Sequence, residues 1–156
     1  LPVLQQNEAV VCQSTDKVVD SPSEAREKKT TKILIMDDEE MISDMAKRML
    51  GALGYDQVEA SPHGEDAMKM YTQARDHGEP FDLLLLDLTI KGGMGGEETI
   101  EKLHAMNPEV RAIVCSGYSK DPVVANYAAY GFIGVLAKPF SRNELDNAIT
   151  KALNKK

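Results

Sequence analysis

Asp82-Leu83-Leu84-Leu85-Leu86-Asp87 decides the fold of this chain. Between its two aspartates the run is continuously apolar, as expected for a strand covered on both faces rather than one. Three further apolar runs also end in a chemically active residue. Lys32-Ile33-Leu34-Ile35-Met36 leads into Asp37-Asp38, Ala112-Ile113-Val114-Cys115 into Ser116, and Ile133-Gly134-Val135-Leu136-Ala137 into Lys138-Pro139.

Helical patterns fill the intervals. Residues 40–53 carry Ile42, Met45, Ala46, Met49, Leu50 and Leu53 at i, i+3 and i+4 spacing. A short strand is expected from about 57 to 60. Ser61-Pro62 then reads as an N-cap with proline at the first helical position, opening a helix with Ala67, Met70, Tyr71 and Ala74 on one face. A third helix, about 96–106, stops at Asn107-Pro108. After a strand over about 110–116, Asp121-Pro122 opens a fourth helix that Gly131 closes. A fifth strand covers about 132–137, and Ser141-Arg142-Asn143-Glu144 is a capping box for the last helix. Five strand-helix units predict an α/β fold of (βα)5 type, a doubly wound, five-stranded parallel sheet with right-handed crossovers. Parallel strands bring their carboxyl ends to one edge, where ligands bind in such sheets. Asp37, Asp38, Asp87, Ser116 and Lys138 are therefore expected to meet in space.

Bulk composition narrows the chemistry. The chain has 156 residues, about one domain's worth, with 42% hydrophobic and 28% charged residues. A formal charge of -7 argues against nucleic acid as a direct ligand. No apolar run approaches the roughly 20 residues that cross a bilayer, and Leu1 to Val11 lacks the form of a signal peptide. Cys12 and Cys115 show neither a disulfide framework nor a zinc spacing, so a cytoplasmic setting is expected, with Cys115 buried. Residues 1–29 are polar and aperiodic, a linker or tail with at most a short strand near Val10-Val11; the folded domain is expected over 30–156.

Clustered acids suit a hard cation such as Mg2+, which takes oxygen ligands and keeps several waters. A hydroxyl and an ammonium suit phosphoryl oxygens. Each residue also has a plainer reading: Asp37-Asp38-Glu39-Glu40 as an acidic helix start, Ser116 as a strand-end cap, and Lys138 as a surface lysine. His63, His77 and His104 read as surface histidines, and the eight methionines as fillers of core gaps.

Taken together, Asp37-Asp38, Asp87 after its leucines, Ser116-Gly117 and Lys138-Pro139-Phe140 resemble the receiver domain of two-component response regulators, over about residues 31–154. The resemblance implies a flavodoxin-like receiver fold with strand order 2-1-3-4-5. It implies that Asp87 accepts a phosphoryl group from phosphohistidine and that Mg2+ is held by Asp38 directly, by Asp37 partly through water, by Asp87 and by the Thr89 backbone carbonyl. It further implies that Lys138, often before a cis peptide bond in this family, pairs with Asp87 and then with the phosphoryl group, and that Ser116 donates to that group. Thr89 and Tyr118 flank the site and would tune hydrolysis of the acyl phosphate. The chain departs from the family pattern at Val135, where an aromatic residue is usual, and at Lys91, where proline is usual. Tyr118, Tyr127 and Phe132 are the candidates to replace the missing aromatic. Gly92-Gly93-Met94-Gly95-Gly96 resembles the loop of receivers attached to sensor kinases, and its glycines would make it mobile or admit positive φ.

Leu1-Pro2 is similar to the end of a kinase ATP-binding domain, so the expected context is the C-terminal receiver of a hybrid histidine kinase. Its partners would be a histidine kinase domain, in cis or in trans, and a histidine phosphotransfer protein. A free-standing single-domain regulator and a non-phosphorylated receiver-fold interaction module are the alternatives. A phosphatase using an aspartyl nucleophile would need a second acid where Thr89 stands.

Overall fold

The computed structural model describes residues 29–118 and 120–154. Five parallel strands, β1 (Lys29–Met36), β2 (Tyr55–Ser61), β3 (Leu83–Asp87), β4 (Ala112–Ser116) and β5 (Gly134–Ala137), form one sheet. Its order, β2-β1-β3-β4-β5, is the one expected. The register pairs Met36 with Leu86, Asp87 with Cys115 and Ser116 with Ala137, so the carboxyl ends of the central strands lie along one edge. β1 begins at Lys29, one residue inside the expected tail. Cys12 and the Val10-Val11 strand lie outside the described residues.

Two apolar layers sandwich the sheet because strand side chains alternate between faces. Leu34, Met36, Leu84, Leu86 and Val114 face α2 (Gly64–Asp76) and α3 (Gly96–Met106), meeting Tyr71, Ile100 and Leu103. Ile33, Ile35, Leu83, Leu85 and Ile113 face α1 (Glu40–Ala52) and α5 (Arg142–Asn154), meeting Leu50, Leu145 and Ile149. Every residue of β3 is buried, which accounts for its unbroken leucines. Cys115 is buried on the α1 and α5 side, and burial pushes its thiol up to about 12.

Several local expectations are corrected. The buried stripe of α1 is Ser43, Ala46 and Leu50; Met45 is exposed and Met41 more so. Ser61 does not cap α2: it ends β2 as a buried residue whose hydroxyl donates to the Ile35 carbonyl, and His63 occupies the N-cap position. The fourth helix is broken. Asp121 does cap it, accepting from the Val123 amide, but α4 spans only Pro122–Ala125 before a 3-10 turn over Tyr127–Tyr130. Gly131 closes that turn at φ 98°, a left-handed conformation costly for other residues. The Ser141–Glu144 capping box is reciprocal, with Glu144 N on Ser141 Oγ at 3.1 Å and Ser141 N on Glu144 Oε1 at 2.9 Å.

Two histidines are also less free than expected. His104 is half-buried, one ring nitrogen 2.9 Å from the Gly131 carbonyl, and His63 lies against Gly93. His77 is exposed.

Candidate functional site

Asp37, Asp87 and Lys138 meet at the carboxyl edge of the sheet. The Lys138 ammonium lies 2.6 Å from Asp37 Oδ2 and 3.2 Å from Asp87 Oδ2. The bond from Lys138 to Pro139 is cis, and the Lys138 amide donates to the Ser116 carbonyl. Lys138 thus binds Asp37 more closely than Asp87, the partner expected from the resemblance. Asp37 is otherwise tightly held: its Oδ1 accepts from Glu39 N at 2.9 Å, its amide donates to Ser61 O, and its carbonyl accepts from the Ser43 hydroxyl. Ser61 read as a helix cap, and Ser43 carried no signal in the sequence. A serine among helix residues carries no signal that it will fold beneath a strand end.

Asp38 is exposed, while Asp37 and Asp87 are buried. One carboxylate oxygen from each of the three lies within 4.8 Å of the others. Three hard oxygen donors so grouped, with the exposed one opening to solvent, fit an ion that keeps part of its water shell. Asp38 Oδ2 also accepts from the Lys91 amide at 3.2 Å, a bond that proline could not make.

Asp87 carries the electrostatic signature of the site. Burial, and then the charge of Asp37, raise its pKa from 3.8 to about 6, against the attraction of Lys138 and a hydrogen bond from the Thr89 backbone. For Lys138, burial works to lower the pKa, but the hydrogen bond to Asp37 and the charges of Asp87 and Asp37 raise it overall. The ammonium is therefore secured as a cation. A cleft of about 490 Å3 opens here, lined by Asp38, Asp87, Thr89, Lys91, Tyr118 and Lys138 among others.

Ser116 shares this edge, yet its hydroxyl turns onto the following residues: it accepts from Tyr118 N at 3.0 Å and lies 3.3 Å from Tyr118 O. It caps the strand end, the plainer reading of its sequence position. Of the candidate replacements for an aromatic at Val135, Phe132 is core, Tyr118 is 70% exposed, and Tyr127 lines a cavity of about 450 Å3 that also includes Val135.

The glycine-rich loop is tied down. Gly64 N donates to Met94 O at 2.8 Å and Met94 N to Glu65 Oε1 at 3.1 Å, fastening the loop to the first turn of α2. Within 91–96, positive φ occurs at Gly92 alone.

Comparisons with known proteins agree with this fold. The family model for the response regulator receiver domain matches residues 33–150. Sporulation initiation phosphotransferase F of Bacillus subtilis is 30% identical over 122 residues, covering 78% of this chain and 93% of that protein. Sensor kinase CckA of Brucella abortus is 28% identical over 145 residues, covering 87% of this chain but only 15% of the kinase. A CheY-like receiver domain protein from Methanospirillum hungatei superposes with a TM-score of 0.67 at 28% identity, covering 80% of this chain and 94% of that one. The CheX-CheY-BeF3-Mg complex of Borrelia burgdorferi gives a TM-score of 0.70 at 20% identity, covering 80% of this chain and 90% of its counterpart; that likeness concerns the fold alone.

Proposed function

The chain belongs to the response regulator receiver family and is a phosphoacceptor domain of two-component signalling, and on that premise we propose that Asp87 takes the phosphoryl group. One observation carries this reading: a buried carboxylate at the end of the central strand, with an ammonium 3.2 Å away and two further acids at cation-binding distance.

In the reaction, an Asp87 oxygen attacks phosphorus in line as the bond from phosphorus to the histidine nitrogen breaks. Such transfer is governed by positioning and charge neutralisation. The strand end fixes Asp87, and Lys138 neutralises it before transfer and meets a phosphoryl oxygen afterwards, as a point charge. Receiver domains bind Mg2+ in such acidic pockets. Here Asp38, Asp87 and the Thr89 backbone carbonyl would hold it, with Asp37 acting through water because Lys138 and Glu39 N already occupy its oxygens. Bound Mg2+ supplies charge neutralisation for the transferring oxygens. Ser116 would exchange its hydrogen bond with Tyr118 for one to the phosphoryl group, pulling the loop after β4 inward.

Receivers exchange phosphoryl groups with histidine kinases or phosphotransfer proteins. Our finer reading is a receiver belonging to a hybrid histidine kinase. Its support is the alignment to the sensor kinase, which covers 87% of this chain where residues 30–156 make up only about four-fifths. The match therefore extends into the upstream segment. No described helix is long and apolar enough to cross a membrane.

The test is transfer from a histidine-phosphorylated kinase core to the wild-type chain and to Asp87→Ala. Label should reach the first and not the second. Equal labelling of both would overturn the assignment, and labelling of neither would support the non-phosphorylated module.

A further inference from the structure

The phosphoryl cleft is short of positive charge. Asp38, Glu39 and Asp87 all line it, and Lys138 is already shared between Asp37 and Asp87. Even with Mg2+ held by these acids, Asp37, Asp38, Glu39 and Asp87 would outweigh Lys138 and the ion by one charge, so a dianionic donor still approaches a net negative rim. Lys91 lines the same cleft and is exposed, and no ion pair joins its ammonium to a described residue. Its backbone is anchored at the spot, because its amide donates to Asp38 Oδ2. The loop that carries it is fastened at the other end through Met94 to Gly64 and Glu65. Lys91 therefore springs from a fixed point on the rim, with an ammonium that forms no ion pair with any described residue.

We propose that Lys91 is a second cation for the incoming phosphoryl group, one that selects dianionic donors and sets how fast Asp87 is loaded. This rests on Asp87 being the acceptor. With acetyl phosphate as donor, the bond from an Asp87 oxygen to phosphorus forms while the bond from phosphorus to the acyl oxygen breaks. Acetate leaves with the electron pair, and no proton has to move. Lys91 donates to a phosphoryl oxygen that neither Asp87 nor the leaving group uses. A long, exposed side chain at the mouth suits capture and orientation, whereas buried Lys138 suits the transferred group itself.

The experiment compares wild type, Lys91→Met and Lys91→Arg for Asp87 loading with Mg2+, using acetyl phosphate and the less charged donor phosphoramidate. Mg2+ affinity is measured separately by calorimetry, and a thermal melt checks the fold. Lys91→Met should load about tenfold more slowly with acetyl phosphate and lose less with phosphoramidate, while Lys91→Arg stays within about twofold of wild type. Mg2+ affinity should not fall in Lys91→Met, since that variant keeps the amide on Asp38 and removes a neighbouring cation. Wild-type rates in Lys91→Met, an equal loss with both donors, an arginine variant as slow as the methionine one, or a Mg2+ affinity that falls in Lys91→Met would each overturn the proposal. Loading of wild type that Asp87→Ala does not abolish, or no loading at all, would instead overturn the acceptor assignment beneath it.

Discussion

The Lys138 ammonium sits between two buried carboxylates, 2.6 Å from Asp37 and 3.2 Å from Asp87. One cation facing two anions leaves the pair under-neutralised, and Asp87 bears the cost, with its pKa raised by burial and by Asp37 to about 6. An unfolded Asp87 ionises near 3.8. Between these values the folded state holds a proton that the unfolded state has lost, so stability falls as pH rises through that window. In metal-free buffer at pH 7, Asp87→Asn should therefore be more stable than wild type by about 2 kcal/mol. Urea unfolding should find the advantage gone below pH 3.8. A variant less stable than wild type at pH 7 would contradict this balance of charges.

Removing the cation should have the opposite effect. Lys138→Met leaves Asp37 and Asp87 facing each other without an ammonium and should cost about 3 kcal/mol at pH 7. The loss should shrink at pH 5, where Asp87 takes up a proton, and Mg2+ should recover part of it. Thermal melts at both pH values, with and without Mg2+, check all three.

Loading of Asp87 should itself depend on pH. Only the ionised carboxylate attacks, so at limiting Mg2+ the rate with a small phosphodonor should fall about tenfold per unit well below the pKa of about 6. Saturating Mg2+ favours the ionised form and should move the midpoint to lower pH. A pH profile identical at low and saturating Mg2+ would contradict a cation site that includes Asp87.

The strands and their chemical ends were legible because buried parallel strands print as unbroken apolar runs, and each run stops where the sheet edge meets solvent. Leu83 to Asp87 is the clearest case. What stayed hidden depends on how loops and helix ends are rotated in space. The periodicity of α1 fits Met45 inside as well as Ser43, and only the strand end above it selects Ser43, through the Asp37 carbonyl. Lys138 lies at the end of its apolar run on the sheet edge, but the choice between two carboxylates differing by less than an ångström in distance has no trace in the sequence. The glycines of the loop after β3 read as mobility or positive φ, and Gly92 does take positive φ, whereas Gly93 and Gly95 sit where a Cβ would strike His63 and the Leu88 carbonyl. Close approach is the tertiary reason for them.

The same close packing predicts a lesion away from the site. A Cβ on Gly64 would lie 2.7 Å from Met94 Cβ and closer still to the buried Thr99 hydroxyl. Gly64→Ala should destabilise the domain by about 1–3 kcal/mol, as read by urea unfolding. It should also release the Gly64–Met94 hydrogen bond, visible as faster amide exchange at Gly64.

The most direct measurement is the intact mass of the protein after incubation with acetyl phosphate and Mg2+, followed by mapping of the modified peptide. The wild-type chain should gain the mass of one phosphoryl group at Asp87, and Asp87→Ala should gain nothing. A gain that persists in Asp87→Ala, or maps to another residue, would contradict the assignment of Asp87 as the acceptor.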